Sequence, residues 1–334
     1  MTNCNRRAFL AASGGVALML SAGLYARPAF SAKPVKAAVI FSIANPGNAA
    51  GWDEGSYRGV RKLIDEHGWD VTIAEAVPFP RLADTAANYA ESGFDVVIFT
   101  SSGHIGAWNE VSPKYPKTLF AMMSVVNALP KASNALAFSL DIYGYGVMGG
   151  MTAALASKSG TIAAVGGAPV PGLITWMSGI IEGAKAARSD IKVMTAFSGD
   201  WSNVPRAREV TAMQIERGAD IIVMNAGGST RGVLDAVEAG GVQCVGYATD
   251  VYAESEKSVL TSVLMNIPSW YEALARAVAE GRTEARIENY GPDTFTLADM
   301  HGKLDGAVES KVRDTVGRYQ RGELTVAVVA HDVK

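Results

Sequence analysis

The sequence predicts an α/β protein of two Rossmann-like lobes, each built on a parallel, doubly wound sheet. Three observations carry that expectation. Apolar runs of strand length alternate with helical stretches along most of the chain, joined by short connections, as in parallel sheets covered by helices on both faces. The pattern restarts after Asp141 with similar lengths. A glycine-rich loop, Ala226-Gly227-Gly228-Ser229, closes the carboxyl end of one strand, the place where open parallel sheets bind ligands.

The first run, 36–41 (KAAVIF), is short, apolar and β-branched, and reads as a buried strand. A turn at Asn45-Pro46-Gly47 ends it. A helix is expected at 57–67, with Val60, Leu63 and Ile64 on one face. Strands follow at 69–74, 95–100, 118–124 and 134–140, with helices at 81–92 and 108–114. After Asp141 come a helix at 145–157, a strand at 161–165, a helix at 175–187 and a strand at 191–196. A loop with Trp201 and Asn203 leads to a helix at 205–217, a strand at 219–225, a helix at 232–239 and a strand at 243–247 that stops at Asp250. Beyond it, 258–264 reads as a strand, 268–280 as a helix, 286–290 and 294–297 as short strands, 311–322 as a helix and 324–330 as a last apolar strand.

No low-complexity linker divides the lobes. The chain is therefore expected to cross between them near Asp141, Asp250 and Arg286. That assigns 36–140 with about 251–285 to the first lobe, and 141–250 with about 286–334 to the second.

Residues 1–32 read as an export signal peptide: a charged start, a weakly apolar middle and a small-residue end at Ser31-Ala32. Arg6-Arg7 followed by Phe9-Leu10 resembles the twin-arginine motif. A periplasmic location is expected. The leader holds three arginines and no acid, so its removal moves the net charge from -3 to -6. A mildly acidic body argues against nucleic acid as a partner, because phosphate binding needs clustered cations. The chain has two cysteines, Cys4 in the leader and Cys244 in an apolar strand, so the mature chain forms no internal disulfide.

The candidate site residues all fall near strand ends. Trp52 and Trp201 are on loops and offer flat stacking faces. Trp176, near a helix start, serves either as a ligand contact or as core. Asp250, a lone acid at a strand end, serves either as a hydrogen-bond partner for the ligand or as a structural cap. His104 closes the Ser-Ser-Gly-His loop, where it meets the ligand or caps a helix. Asn225, Gly228 and Ser229 belong to the central loop. Gly144-Tyr145-Gly146-Val147-Met148-Gly149 matches G-x-G-x-x-G, but the acid expected about 20 residues later is missing, and close helix packing explains these glycines better. No cofactor, metal or nucleophile motif is found, and the chain is expected to be a binding protein, not an enzyme.

Several segments together resemble the basic membrane protein (Bmp) family of ABC-transporter substrate-binding proteins, which includes purine nucleoside receptors. They are 93–98 (GFDVVI), 158–162 (KSGTI), 180–184 (IIEGA), Gly199-Asp200-Trp201 with Pro205, 218–222 (GADII), 226–228 (AGG) and 259–263 (VLTSV). The resemblance implies a type I periplasmic-binding-protein fold with a hinge of several crossings, whose lobes close on a small-molecule ligand and present it to an ABC permease in the inner membrane. It implies that Trp201 stacks on a purine-type base and that Asp250 hydrogen-bonds a ribose hydroxyl or base nitrogen. Two departures bear on the ligand. Met265 stands where the family usually has lysine, and the first loop carries Gly51-Trp52 where Ser-Phe-Asn is usual. Two tryptophans and no lysine point to a nucleobase rather than a nucleoside. A sugar or other flat-ring binder, or a ligand-sensing receptor, remains the alternative on the same fold.

Overall fold

A computed structural model describes residues 33–333. The export signal read at 1–32 lies outside the described residues.

The first sheet contains β1 (Lys36–Ile40), β2 (Asp70–Ala74), β3 (Val96–Phe99), β4 (Leu119–Met123), β5 (Ala135–Leu140) and a later strand, β11 (Arg286–Tyr290). Its spatial order is β11-β5-β4-β3-β1-β2, and every pairing is parallel. The helices α1 (Trp52–Asp65), α2 (Leu82–Glu91) and α3 (Ile105–Val111) connect these strands, and α8 (Ile267–Ala279) joins them from later in the chain. The second sheet contains β6 (Thr161–Gly166), β7 (Lys192–Phe197), β8 (Ile221–Asn225), β9 (Gln243–Ala248), β10 (Val259–Leu264) and β12 (Thr296–Leu297), ordered β12-β10-β9-β8-β6-β7. Only β12 is antiparallel. Its helices are α4 (Ile142–Ala156), α5 (Pro171–Ala187), α6 (Val204–Glu216) and α7 (Thr230–Gly240), with α9 (Gly306–Gln320) against α4.

Both sheets reverse strand order at their first strand. β1 lies between β2 and β3, and β6 lies between β7 and β8. A crevice opens at the carboxyl ends of such strands, because the helices on either side of the switch leave in opposite directions. The two crevices face each other.

The lobe boundaries differ from the expected ones. The strand at 259–264 was assigned to the first lobe, but it extends β9 in the second sheet, with Val263 opposite Tyr247. The strand at 286–290 was assigned to the second lobe, but it pairs with β5 in the first, with Tyr290 opposite Leu140. The crossings therefore fall at Asp141, at 265–266 and at 291–295, and not at Asp250 or Arg286. Short apolar strands carry no mark of their sheet; edge register with a neighbour decides it. The apolar run at 324–330 is also not a strand. It is tied to α4, with the Tyr143 hydroxyl donating to the Ala327 carbonyl at 2.6 Å and accepting from the Val329 amide at 3.1 Å.

Helix α4 is buried almost all round, and its glycines are what permit it. Cβ atoms on Gly146 and Gly150 would lie 2.1 and 2.2 Å from the carbonyls of Trp176 and Ile180 on α5. The G-x-G-x-x-G match is thus a helix-to-helix seam. Helix α1 starts five residues earlier than its periodicity predicts, after Gly51 at φ 75°. Gly55 packs against Ile267 of α8, so burial extends the helix through a stretch of poor helix formers. This puts Trp52 and Asp53 on the first helical turn rather than in a loop.

Candidate functional site

One cavity lies between the two crevices. The first lobe contributes Ser42 and Ile43 after β1, Trp52 and Asp53 from α1, Thr100 to Ser102 after β3, and Ser124 after β4. The second contributes Ile142 of α4, Val170 just before α5, Gly172 and Leu173 of α5, Trp201 after β7, Asn225 and Gly227 around the end of β8, and Tyr247 of β9. The volume is about 60 Å³, room for about four to six waters at roughly 10–15 Å³ each.

Trp201 lies on a bed of two glycines. A Cβ on Gly167 would sit 2.3 Å from its ring, and one on Gly227 would sit 3.2 Å away. The two glycine loops, after β6 and after β8, are the floor that lets the indole lie flat at the strand ends. The loop that carries Trp201 is itself fixed: the Asp200 carboxylate accepts from the Ser202 amide at 2.6 Å, and Asn203 caps α6 by accepting from the Arg206 amide. Gly167→Ala is expected to tilt the indole and weaken ligand binding several-fold while leaving the melting temperature of the ligand-free protein nearly unchanged, since Gly167 has no positive φ to lose. Paired calorimetric titration and thermal melts measure both effects.

Trp52 faces the cavity from the other lobe. Its indole N–H donates to the Thr100 carbonyl at 2.6 Å, and its ring meets Trp270 edge-on at 5.6 Å and Tyr247 at 6.4 Å. Tyr247 is in turn backed by Tyr145 and Trp176, at 5.0 and 5.5 Å. Burial raises the Tyr247 hydroxyl above the usual phenol range, which keeps it a neutral donor.

Asp53 was not among the residues singled out from sequence. Its carboxyl opens on the cavity, and burial pushes it up to about 7 from an ordinary 3.8, with no cation or hydrogen-bond donor among the described residues to offset the cost. Its place on the first turn of α1 favours the ionised form through the helix dipole, by about 0.3–1 kcal/mol. Desolvation outweighs that term.

The other candidates divide. Asn225 lines the cavity beside Tyr247, with which its side chain interacts. Gly228 is one residue beyond the lining, which Gly227 supplies instead. Ser229 is buried below it, its hydroxyl donating back to the Ala226 carbonyl at 2.7 Å. Trp176 is fully buried behind Tyr247. Asp250 is exposed and outside the cavity, with its carboxylate accepting from the Tyr252 amide and the Ser262 hydroxyl. It is placed as a turn cap, because a strand that ends in a 3₁₀ turn leaves amides for a carboxylate to hold. His104 does not cap α3. It is buried behind the lining, with Nε2 at 2.7 Å from the Ser42 hydroxyl. Met265, in the place of the usual lysine, is a core residue. Among the described residues no group of three metal-ligating side chains forms.

The lobes touch on both sides of the cavity. The Gly51 amide donates to the Thr249 hydroxyl at 2.9 Å, and Gly172 packs against Ser102 and Val125 at the opposite mouth.

A family model described as ABC transporter substrate-binding protein PnrA-like (Bmp) matches residues 36–295. The chain belongs to this family. It is an ABC transporter substrate-binding protein with the type I periplasmic-binding-protein architecture. The transcriptional activator protein Med of Bacillus subtilis is 26% identical over 82% of this chain and 86% of its own length. A purine-binding protein of Brucella abortus is 23% identical over 86% of this chain and 82% of its own. A solved ABC-transporter solute-binding protein from Aeropyrum pernix superposes with a TM-score of 0.79 at 14% identity, over 90% of this chain and 95% of that one. In this substrate-binding protein no helix among the described residues is long and apolar enough to cross a membrane.

Proposed function

We propose that this protein captures a purine-type nucleobase between its lobes and presents it to the permease of an ABC importer in the inner membrane, after export by the twin-arginine leader. The observation that carries the reading is the pairing of two indole-bearing walls with one unpartnered, half-buried carboxylate. Trp201 offers a flat face on its glycine bed, Trp52 bounds the cavity from the other lobe, and Asp53 waits for a donor. A ring N–H of a base supplies that donor, and stacking on an aromatic contributes about 1–3 kcal/mol per base. At about 60 Å³ the cavity is smaller than a purine base, so the lobes must part to admit one, and part further to admit a ribose. The similarity to a purine-binding protein agrees with this class of ligand.

A sugar site would bring several carboxylates and an arginine together. The cavity lining holds one carboxylate and no cationic side chain. Ser42 and His104 are within hydrogen-bond reach, yet no acid orients the imidazole, so the pair lacks the third member of a hydrolytic triad.

A thermal-shift screen of the chain from Lys33 against nucleobases, nucleosides and common sugars tests the reading. Adenine, guanine or hypoxanthine at about 1,000 times its dissociation constant adds about 4 kcal/mol, a rise of several degrees. A rise with nucleosides alone refutes the base assignment, and a rise with sugars alone refutes the purine class.

A further inference from the structure

We propose that His104 is a positioning residue that fixes the Ser42 hydroxyl as a hydrogen-bond donor to the ligand, so that the site selects rings presenting an acceptor to Ser42 and an N–H donor to Asp53. The inference rests on the cavity being the nucleobase site.

The geometry is a three-part chain. Ser42 lines the cavity. Its hydroxyl is 2.7 Å from His104 Nε2. The imidazole is wholly enclosed, edge-on to Phe79 at 6.1 Å and to Phe99 at 6.0 Å, and its Nδ1 has no hydrogen-bond partner. Burial holds the imidazole down at about 3, so it is neutral at physiological pH and one ring nitrogen carries the only proton.

Two tautomers are available. With the proton on Nδ1, a donor is buried among phenyl rings with nothing to receive it, while Nε2 accepts from Ser42. With the proton on Nε2, the ring donates to the Ser42 oxygen and leaves only an unfilled acceptor at Nδ1. Orphaned buried donors are the rarer of the two in folded proteins. The Nε2–H form therefore prevails, and Ser42 is an acceptor toward His104. Its own proton is then free to turn into the cavity. A serine that donated to the imidazole could only accept from a ligand; this one has its proton free to give. Asp53, on the adjoining helix of the same lobe, has the opposite polarity when ionised. A ring with an oxo or unprotonated nitrogen at one position and an N–H at another satisfies both.

The test has two arms. Long-range 15N–1H correlation spectra of the ligand-free protein, with the His104 signals assigned by their loss in His104→Gln, read the tautomer without any ligand. The expected result is a neutral ring protonated at Nε2 that does not titrate between about pH 5 and pH 8. A ring protonated at Nδ1, or one that titrates in this range, overturns the proposal whatever the ligand is. The second arm is a double-mutant cycle with hypoxanthine. Ser42→Ala and His104→Leu are each expected to weaken binding about five- to tenfold, and the double variant no more than either alone. Additive losses overturn the relay. If none of adenine, guanine and hypoxanthine binds the wild-type protein, the nucleobase reading fails, and the tautomer arm still decides the role of His104.

Discussion

Asp53→Asn is expected to raise the melting temperature of the ligand-free protein by a few degrees at pH 8 while weakening ligand binding about tenfold or more. The first half follows from linkage. The carboxyl sits at about 7 when folded and at 3.8 otherwise. Between those values the folded chain binds more protons than the unfolded one, so stability falls as pH rises from about 4 to about 7 and is level above that. A shift of this size amounts to about 4 kcal/mol at about 1.4 kcal/mol per pH unit. The side chain keeps partial contact with the cavity, which lowers the expected gain to roughly 2 kcal/mol, or a few degrees for a chain of this length. Asparagine carries no charge to desolvate, so the decline between pH 4 and pH 7 should flatten in the variant. Parallel pH slopes in the melting curves of both proteins would show that the carboxyl is solvated and the premise wrong. The second half follows from what the charge is for. A ring N–H donating to a carboxylate makes a charge-assisted bond, about twice as strong as one to a neutral acceptor. Binding should accordingly tighten in the wild type as pH rises through about 7 and stay flat in the variant. On this reading the ligand-free protein carries a destabilising charge at the place where a base would bring its donor.

The sequence made the frame of this site legible and left its chemistry half hidden. Alternation of apolar strands and helices reveals two parallel sheets, because a strand covered on both faces must be apolar throughout. Glycines at the ends of β6 and β8 mark the floor, and Trp201 could be placed beside them from its loop position. Asp53 escaped notice for a local reason. Gly55 and Ser56 are poor helix formers, so the helix start was read after them, at Tyr57, and the acid appeared to lie on a solvated loop. Packing of Gly55 against Ile267 overrides that propensity and turns Asp53 inward. The run of an acid directly after Gly51-Trp52 was the only available signal. Asp250 was misjudged in the opposite sense: a carboxylate at a strand end looks alike in sequence whether it meets a ligand or two turn donors. His104 was placed on the right loop, but its direction depends on Phe79 and Phe99, which come from a different part of the chain and from the strand before it. The exchange of β10 and β11 between lobes has the same origin, since edge pairing depends on partners more than a hundred residues away in β11.

Gly172→Val is expected to lower ligand affinity about a hundredfold with little change in the melting temperature of the ligand-free protein. Gly172 stands on the first turn of α5 in the second lobe, and the nearest atoms to a Cβ there all belong to the first lobe: Ser102 Oγ at 2.9 Å, Ser102 Cβ at 3.5 Å and Val125 Cβ at 3.6 Å. Within its own lobe the substitution meets no such obstacle, and its φ is one any residue adopts. The obstacle exists only when the lobes are closed. Alanine needs Ser102 Oγ to rotate by a rotamer, a small demand. Valine adds two methyl groups directed at backbone-anchored atoms of Ser102 and Val125, which do not move without the lobe. The closed form then becomes a minor species, and apparent affinity falls by the fraction that remains competent; a population of about 1% gives the hundredfold loss. Affinity should therefore decline in the order glycine, alanine, valine, while melting of the three ligand-free proteins stays together. X-ray scattering separates closure from contact loss: saturating ligand should compact the wild type, and at equal ligand concentration the valine variant should keep its open radius. Valine binding as tightly as glycine, with the same compaction, would mean that the Gly172–Ser102 contact is absent from the ligand-bound state and that the mouth of the cavity closes elsewhere.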